Sequence, residues 1–502
     1  MKAHLHRYFS LFSGIALAAS FTFSGWNLLC FAALIPMMTR IFACQTAREL
    51  RRETLLFSYG YYMPLLSWIY GIYDMLPFSD GINAFLLVLL TAILPALFGL
   101  IMFAATAVFV RVKQSDLWDS SRYALLFCFG EFLMEIVPGF SFPWGRVGTI
   151  TAVFTPFIQS ASLFGGLFLS FLVLLVNGGA AYLIVNRKHI NREMISGSVL
   201  IICVISLNIS YGYLRINRYD YSAEKKTEVI LVQGNFSGRR KWVSSPDSMT
   251  EKYISLSELA KTDNTQLIVF PETAIAGFLD NDEYLTVGLR KLARNSGSVL
   301  VTGINCRMCG ERYNSAAAFE PDGTVSEPYF KQRLVPFGEY LPLVPDSAVD
   351  GYSGYSAGMV SFPIDTSAGC VGTVICYESV YPGISRKTVR NGAELLAVIT
   401  NDSWFDNTRA LEQHLAHSVL RAVENNRWVV RAANTAVTAV ISPTGKITAE
   451  APPYVPCALR SQAGLKSGLS VYGIFGDIII IPALWLIACG LGEKRRSENV
   501  VP

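Results

Sequence analysis

The sequence predicts an α-helical transmembrane bundle of about eight spans joined to an α/β domain outside the cytoplasm. Of the 502 residues, 52% are hydrophobic and only 16% are charged, whereas soluble proteins carry about 25% charged residues. Long apolar runs fill the chain as far as Leu214, and alternating strand and helix patterns follow them. This composition rules out a disordered chain and argues against a wholly soluble protein. The formal net charge of +4 argues against a nucleic-acid partner, since such proteins are strongly basic.

Region 1–216 is predicted to be a membrane domain with about seven transmembrane helices. A helix needs about 20 apolar residues to cross ~30 Å of hydrocarbon. The first run, Phe9–Cys44, is long enough for two spans and is interrupted near Ser24. The further apolar runs are Leu55–Tyr73, Ala84–Val110, Tyr123–Val137, Phe157–Val185 and Gly197–Leu214. The last run, Ile474–Leu491, predicts that region 473–502 is a C-terminal transmembrane helix with a cytoplasmic tail.

The distribution of basic residues predicts the topology, because Lys and Arg are concentrated in cytoplasmic loops. They lie in the N-terminal segment, in the second, fourth and sixth loops and in the C-terminal tail: Lys2, Arg7, Arg40, Arg48, Arg51, Arg52, Arg111, Lys113, Arg122, Arg187, Lys188, Arg192, Lys494, Arg495 and Arg496. The third loop instead carries Asp74 and Asp80. Both termini are therefore expected in the cytoplasm, and region 217–472 outside it.

Region 217–472 has the pattern of an α/β domain. Short apolar runs predict five buried strands: Glu228–Gln233, Gln266–Phe270, Ser298–Thr302, Val371–Ile375 and Leu395–Thr400. Amphipathic stretches between them predict three helices, near Asp247–Lys261, Glu283–Asn295 and Leu411–Asn426. Strands that alternate with helices in this way indicate an α/β fold.

Three polar side chains in this domain predict a nucleophilic thiol site. Cys376 and Glu272 each follow an apolar strand, and Lys331 precedes a rigid, turn-rich stretch. Strand ends are where α/β folds place their chemistry. A carboxylate takes the proton of a thiol, and an ammonium stabilises the oxyanion that forms after the thiol attacks.

Other cysteines and histidines give weaker signals. Cys306 and Cys309 have a CxxC spacing, but the sequence offers no second pair of ligands for zinc. Whether these two cysteines form a disulfide stays open. His414 and His417 lie three residues apart on a predicted helix and lack a third metal ligand. The sequence therefore predicts neither a metal nor another cofactor.

Three motifs with these residues resemble the nitrilase superfamily, and within it the apolipoprotein N-acyltransferase family. They are Pro271-Glu272-Thr273-Ala274, Lys331 followed by Phe337-Gly338-Glu339-Tyr340, and Cys376-Tyr377-Glu378. The resemblance covers nearly the whole chain, with further matches at Phe142-Pro143-Trp144, Gln233-Gly234-Asn235, Asn401–Phe405 and Tyr472 with Gly476-Asp477. Ala276-Gly277 departs from the pattern, because the family more often has proline there.

The resemblance implies a four-layer αββα nitrilase-like sandwich over 217–472, placed on the periplasmic side as the catalytic domain. It also implies that Glu272 is the general base, Lys331 the oxyanion stabiliser and Cys376 the nucleophile. Glu339 resembles a second carboxylate that orders the site.

Three further residues resemble positions that matter for activity or for substrate engagement: Trp242, Tyr377 and Glu378. Two interpretations of Trp242 stay open, a direct substrate contact or an anchor at lipid headgroups, where Trp is common. Glu378 is open in the same way, because a purely structural hydrogen-bonding role fits its position as well.

The reaction that the resemblance implies is a two-step acyl transfer, the last step of bacterial lipoprotein maturation. Cys376 takes an acyl chain from a phospholipid, typically phosphatidylethanolamine, and forms a thioester. The α-amino group of the diacylglyceryl-cysteine at the N-terminus of an apolipoprotein then accepts that chain. The implied location is the bacterial inner membrane, crossed several times.

Two alternatives stay open from the sequence. One is a membrane-anchored, nitrilase-type amidase that uses water as the acceptor with the same three residues. The other is a transporter or receptor whose outer domain only binds a ligand. Glu131 and Glu135 within a predicted span give that second alternative slight support, because ionisable residues in spans often mark transport pathways.

Overall fold

The computed structural model describes residues 6–75, 80–137, 141–237, 246–280, 283–341, 354–405 and 408–498. The chain divides into two compact units. The first comprises Met1–Tyr73, Ser79–Asn217 and Phe475–Pro502, and the second comprises Asp74–Phe78 and Arg218–Ile474. The described part of the first unit is helical, whereas strands and helices alternate in the second. A helical domain and an α/β domain are thus confirmed.

The α-helices are numbered in chain order. They are α1 (Phe9–Thr22), α2 (Cys30–Ala33), α3 (Ile35–Ala43), α4 (Ala47–Leu65), α5 (Asp80–Thr106), α6 (Phe109–Val112), α7 (Asp119–Ile136), α8 (Thr155–Ile158), α9 (Ala161–Phe164), α10 (Gly166–Val185), α11 (Arg192–Arg218), α12 (Pro246–Ala260), α13 (Glu283–Ser296), α14 (Pro382–Arg390), α15 (Ala410–Asn425), α16 (Val471–Phe475) and α17 (Ile480–Glu498). Short 3₁₀ helices lie at His6–Tyr8, Asn27–Leu29, Ser67–Met75, Pro143–Gly145, Val147–Val153, Cys376–Val380 and Asp402–Phe405.

Three segments of the described chain are long and apolar enough to cross a membrane by length and composition: Asp80–Val112, Gly166–Val185 and Arg192–Arg218. Two shorter apolar helices cover Asn27–Ala43 and Ile480–Gly492. These segments coincide with predicted runs. The count of about eight spans, and the side of the membrane on which each loop lies, stay predictions.

The helix predicted from Leu55–Tyr73 has different bounds in the structure. It is α4, which begins eight residues earlier because a capping box fixes its first turn. The Thr46 side chain accepts from Glu49 N, and the Glu49 carboxylate accepts from Thr46 N. Such reciprocal bonds pair backbone N–H groups that a helix start leaves free. The prediction followed apolar residues alone and so missed this polar start.

Close approach of backbones joins α1 to α4. A Cβ added at Gly60 would overlap the carbonyl oxygen of Leu11, and a Cβ at Gly14 would lie 2.6 Å from Tyr61 N. Small residues that let two helices approach in this way are typical of membrane bundles, where helices gain from van der Waals packing.

The second unit contains thirteen strands among its described residues: β1 (Lys225–Gln233), β2 (Thr265–Val269), β3 (Ile275–Phe278), β4 (Val299–Met308), β5 (Glu311–Phe319), β6 (Tyr329–Phe330), β7 (Ile364–Thr366), β8 (Gly369–Ile375), β9 (Leu395–Thr400), β10 (Val429–Ala433), β11 (Thr438–Ile441), β12 (Ile447–Ala451) and β13 (Cys457–Leu465). The five strands predicted from the sequence correspond to β1, β2, β4, β8 and β9. The three predicted helices correspond to α12, α13 and α15.

These strands form two sheets. The first has the order β13-β1-β2-β4-β5-β6, with β3 paired to β4, and the second has the order β12-β11-β10-β9-β8-β7. β1, β2 and β4 are parallel neighbours, as are β8, β9 and β10. Parallel neighbours place their carboxyl ends at one edge of each sheet.

The two sheets pack face to face through a core of buried apolar side chains. Val229 and Leu267 of the first sheet belong to the same cluster as Val371, Leu395 and Val430 of the second. A second cluster packs the outer face of the first sheet against α12 and α13, through Tyr253 and Leu289. α14 and α15 contact strands of the second sheet. The unit is therefore a helix–sheet–sheet–helix sandwich.

The segment that follows β2 lies directly against β4 at Gly303. Gly303 N donates to the carbonyl oxygen of Pro271 at 3.1 Å. A Cβ at Gly303 would lie 2.6 Å from Glu272 Cα, which is closer than real side chains come to a backbone. The glycine therefore sets how closely the Glu272 segment approaches the sheet.

We expect Gly303→Ala to lower the midpoint of thermal unfolding, with a loss of stability of about 1–3 kcal/mol, because overpacking forces the backbone to shift. Gly288→Ala is the matched control: in α13 the nearest atom to the new Cβ is Ile254 Cδ1 at 3.7 Å, and alanine favours a helix. Purified full-length variants followed by fluorescence during heating give the comparison. Equal midpoints for the two variants would show that the close approach at Gly303 does not require a glycine.

Candidate active site

Glu272 and Lys331 form a buried ion pair at one end of the first sheet. Glu272 follows β2 and Lys331 follows β6. Lys331 Nζ donates to Glu272 Oε1 at 2.8 Å. Lys331 is 1% exposed and Glu272 is 4% exposed. Glu272 Oε2 accepts from Asn401 N at 2.9 Å, and Asn401 follows β9 of the other sheet. The first two residues of the predicted site are thus brought together.

Glu339 is the second carboxylate at Lys331. Lys331 Nζ donates to Glu339 Oε1 at 2.9 Å, and Val335 N donates to Glu339 Oε2 at 2.7 Å. Asn314 on β5 joins the two acids, because its Nδ2 donates to Glu272 Oε1 at 2.8 Å and to Glu339 Oε1 at 2.6 Å. Two carboxylates therefore share one ammonium and one amide.

Cys376 stands at the carboxyl end of β8, in the first position of a 3₁₀ helix. Its φ is +51°, a left-handed conformation that costs a non-glycine residue about 1–2 kcal/mol. Such strain persists where the surroundings impose it, and it is concentrated at functional sites. The residue is 6% exposed, so the thiol belongs to the interior of the sandwich.

Burial raises the pKa of the Cys376 thiol well above its ordinary value. The charge of Glu272 raises this pKa further, whereas the charge of Lys331 lowers it. For Lys331, burial lowers the pKa, but the charges of Glu272 and Glu339 outweigh burial and hold it well above its ordinary value. The site at rest therefore contains a neutral thiol and a charged ammonium.

Glu378 ties the segment of Cys376 to the segment of Lys331. Its Oε2 accepts from Ile375 N at 2.7 Å, and its Oε1 accepts from Gln332 N at 2.6 Å. The Tyr329 hydroxyl donates to the same carboxyl group at 2.9 Å. Burial raises the pKa of Glu378 to about 7, although these N–H groups and the charge of Lys331 act in the opposite direction.

Tyr377 and Trp242 are the remaining residues of the sequence prediction. Tyr377 is buried, its hydroxyl accepts from the Tyr381 hydroxyl at 3.0 Å, and the two rings meet edge to face. Arg333 lies over the Tyr381 ring, 5.0 Å from its centre. Trp242 lies outside the described residues.

A buried hydrogen-bond network lies behind Cys376. His414 Nδ1 contacts Asp402 Oδ1 at 2.9 Å, and Asp402 Oδ2 accepts from Arg431. Ligand atoms of Cys376, Asp402 and His414 lie within 4.8 Å of one another. Both ring nitrogens of His414 and both oxygens of Asp402 already have hydrogen-bond partners. These contacts indicate a hydrogen-bond network that holds side chains in position. They do not favour a metal site, because the ligand atoms are already used in hydrogen bonds.

Comparison with known proteins decides the family. The carbon-nitrogen hydrolase family matches residues 229–455, and the apolipoprotein N-acyltransferase N-terminal domain matches residues 13–179. The apolipoprotein N-acyltransferase of Geobacter metallireducens is 31% identical, over 97% of this chain and 95% of that protein. That of Chromobacterium violaceum is 30% identical, over 96% and 94%. The chain belongs to the apolipoprotein N-acyltransferase family.

One solved structure is similar to about half of this chain. Nit3 of Saccharomyces cerevisiae, a member of the nitrilase superfamily, is 23% identical and has a TM-score of 0.40, over 48% of this chain and 90% of Nit3. The family resemblance stated from the motifs is confirmed by the relatives above. The chain is therefore an acyltransferase by its family.

Sequence reasoning missed several residues of this candidate site. Asn314 lies within β5, which was not predicted, and contacts the acids only because β5 lies beside β4. His414 was considered only as a metal ligand, and Arg431 was not considered. Arg431 carries a signal that could have been used, a charged residue inside the apolar strand β10, because buried polar groups require partners. Asn314 carries no such signal, since it lies in the polar half of β5.

We expect Asn314→Asp to lower acyltransferase activity by about 10²-fold, the scale of a misplaced reacting group. The substitution keeps the shape, removes the donor between Glu272 and Glu339, and adds a third negative charge beside one ammonium. Asn295→Asp, an equal charge change at an exposed site on α13, is the control. Single-turnover assays of both purified variants measure the effect. If both variants keep the wild-type rate, Asn314 does not order the acids.

Proposed function

We propose that this chain transfers an acyl chain from a phospholipid to the N-terminal α-amino group of the diacylglyceryl-cysteine of apolipoproteins. A thioester on Cys376 is the intermediate. The observation that carries the proposal is the buried group of Glu272, Lys331 and Cys376, in a chain that also contains helices long and apolar enough to cross a membrane. Relatives with the name apolipoprotein N-acyltransferase match it over nearly its full length.

Each residue has one role in this proposal. Glu272 is the general base that takes the thiol proton, because burial keeps the Cys376 thiol neutral. Lys331 stabilises the oxyanion of the tetrahedral intermediate, since its ammonium stays charged. Glu339 and Asn314 hold Lys331 and Glu272 in register.

The first step forms the acyl-enzyme. Cys376 Sγ attacks the ester carbonyl carbon at the sn-1 position of the phospholipid while its proton passes to Glu272. When the intermediate collapses, the bond between that carbon and the glycerol oxygen breaks. Glu272 returns the proton to this oxygen, and lysophospholipid leaves. The Cys376 thioester and a deprotonated Glu272 remain.

The second step transfers the acyl chain. The neutral α-amino group of the apolipoprotein attacks the thioester carbon, and Glu272 takes a proton from the nitrogen. The carbon–sulfur bond breaks, an amide forms, and Glu272 returns the proton to Cys376 Sγ. A thioester favours attack by an amine, provided that water is kept from the site.

The proposed location follows from the lipid-anchored substrates. Region 1–216 and region 473–502 cross the bacterial inner membrane with both termini in the cytoplasm. Region 217–472 is the periplasmic catalytic domain, and phosphatidylethanolamine is the acyl donor. The alternation of basic loops supports this topology. A domain held at the membrane meets both lipid substrates without extracting either one.

The test of the proposal is to incubate the purified protein with labelled phosphatidylethanolamine and a diacylated lipopeptide. We expect an acyl adduct on Cys376 by mass spectrometry before the lipopeptide is added, and an N-acylated lipopeptide afterwards. Cys376→Ser should lose at least about 10³-fold in rate, because a hydroxyl is a far weaker nucleophile at neutral pH. Cys306→Ser and Cys370→Ser are controls that should keep both products.

Other products distinguish the alternatives. Release of free fatty acid without N-acylated lipopeptide would indicate a water-using amidase or esterase. Absence of any adduct, with retention of bound lipid, would indicate a binding protein. An adduct on Cys306 or Cys370 would overturn the assignment of the nucleophile.

The pH dependence of acyl-enzyme formation distinguishes the role of Glu272 from that of Lys331. Glu272→Gln removes the base and should slow acyl-enzyme formation by ~10²–10⁴-fold, whereas Lys331→Met removes the oxyanion charge and should slow it by ~10²–10³-fold. Because the charge of Glu272 raises the thiol pKa and that of Lys331 lowers it, the thiol ionises at lower pH in Glu272→Gln and at higher pH in Lys331→Met. Raising the pH should therefore partly restore only Glu272→Gln.

Single-turnover formation of the thioester, measured from about pH 7 to about pH 10, gives both profiles. The wild-type protein in the same buffers controls for changes in the lipid substrate and in stability. Equal recovery of the two variants, or recovery of Lys331→Met alone, would show that the two roles are reversed or shared.

A further inference from the structure

His414 lies behind the nucleophile and is unused by the proposed chemistry. It is 0% exposed on α15, so it cannot contact a substrate. Its Nε2 lies 2.8 Å from Ser379 Oγ and 3.1 Å from the carbonyl oxygen of Cys376. Asp402 Oδ1 lies 2.9 Å from its Nδ1. The ring thus connects the residue that carries the thiol to a buried carboxylate.

We propose that His414 is a positioning residue for Cys376: its Nε2 donates to the Cys376 carbonyl group and holds the nucleophile turn in its left-handed conformation. The proposal rests on the proposed function only in assigning Cys376 as the nucleophile.

The partners of the ring decide that both of its nitrogens donate. Ser379 Oγ donates to the Cys376 carbonyl oxygen at 2.9 Å, so its own proton is already used, and its oxygen accepts from His414. A carbonyl oxygen can only accept. His414 Nε2 therefore carries a proton and faces two acceptors. On the opposite side of the ring, Nδ1 faces the Asp402 carboxylate, which also can only accept, so Nδ1 donates to it and this bond fixes the orientation of the ring.

Asp402 is itself held in place, so the orientation of the ring is not adjustable. Arg431 Nη2 and the Thr400 hydroxyl both donate to the Asp402 carboxylate. Burial raises the pKa of Asp402, but the charges of His414 and Arg431 outweigh burial and lower it. Arg431 lies on β10 and Thr400 ends β9, so two strands of the second sheet determine where His414 points.

The turn is held at both ends. Before Cys376, Glu378 accepts from Ile375 N. After it, Arg421 Nη1 donates to the carbonyl oxygen of Ser379 at 3.1 Å. The carbonyl group of Cys376 lies between these two points, and it is the group that rotates if the residue relaxes from φ +51°. His414 and Ser379 are the side chains whose contacts oppose that rotation.

The test is the rate at which Cys376 reacts, measured in His414→Gln and His414→Asn. The Gln amide nitrogen can reach the place of Nε2, whereas the shorter Asn amide reaches only that of Nδ1. We expect His414→Gln to stay within about tenfold of the wild-type rate and His414→Asn to fall by about 10²-fold, since a reacting group displaced by ~1 Å loses about that factor. His417→Gln, one turn further along α15, is the control and should remain within about threefold.

Two assays are run on each full-length protein. Alkylation of Cys376 by iodoacetamide needs no phospholipid, so it tests the inference even if the proposed function is wrong. Acyl-enzyme formation from phosphatidylethanolamine should show the same order of rates, with the half-saturating phospholipid concentration unchanged within about twofold. A role in substrate binding would instead raise that concentration and leave the maximal rate unchanged.

Three results would overturn the inference: equal rates for His414→Gln and His414→Asn, a loss seen equally in His417→Gln, or an effect confined to the half-saturating concentration. Thermal unfolding of each variant identifies loss by misfolding. If His414→Asn does not fold, Ser379→Ala keeps His414 and removes one of the two donors to the Cys376 carbonyl oxygen. That variant should then be slowed at least tenfold in alkylation, and a wild-type rate would count against the proposal.

Discussion

A fully buried ammonium is the constraint on which the rest of the site depends. Lys331 is 1% exposed, and an unpaired charge at such a place costs many kcal/mol. Glu272 and Glu339 supply the opposite charge, but two acids at one ammonium leave an excess of negative charge. Asn314 Nδ2 and the N–H groups of Asn401 and Val335 offset this excess by donating to the same carboxylates. Removal of one partner of such a buried pair costs about 3–5 kcal/mol.

The face-to-face packing of two sheets brings together the groups to which the proposal gives chemical roles. Glu272 and Lys331 come from strands of the first sheet, whereas Cys376 and Asn401 come from the second. Hydrogen bonds cross between the sheets at this point: Asn401 N donates to Glu272, and Gln332 N and the Tyr329 hydroxyl donate to Glu378. Apolar burial in the core is non-directional and sets only the separation of the layers. The directional bonds to the two carboxylates then fix the register of the catalytic segments.

The sequence was informative where local pattern and chemistry coincide. β8 and β9 are short apolar runs, Cys376 directly follows β8, and Glu272 lies in the segment after β2, so their placement could be predicted. β5, β12 and β13 carry polar or alternating residues and were missed, as were β10, which Arg431 interrupts, the four-residue strand β11 and the capped start of α4. Asn314 contacts Glu272, which lies 42 positions away along the chain, and His414 contacts Cys376, which lies 38 positions away. Such pairing depends on strand order, which periodicity does not specify.

In the proposed mechanism, the same contacts couple proton transfer to electrostatic stabilisation. In the resting site Lys331, Asn314 and Asn401 each donate to Glu272, and such donors stabilise negative charge on a carboxylate. When Glu272 takes the thiol proton, its negative charge disappears and Lys331 loses half of its opposing charge. The ammonium is then free to interact with the oxyanion that forms at the same moment. Under this proposal, a thiol kept neutral by burial is activated only when a substrate carbonyl is present to receive the negative charge.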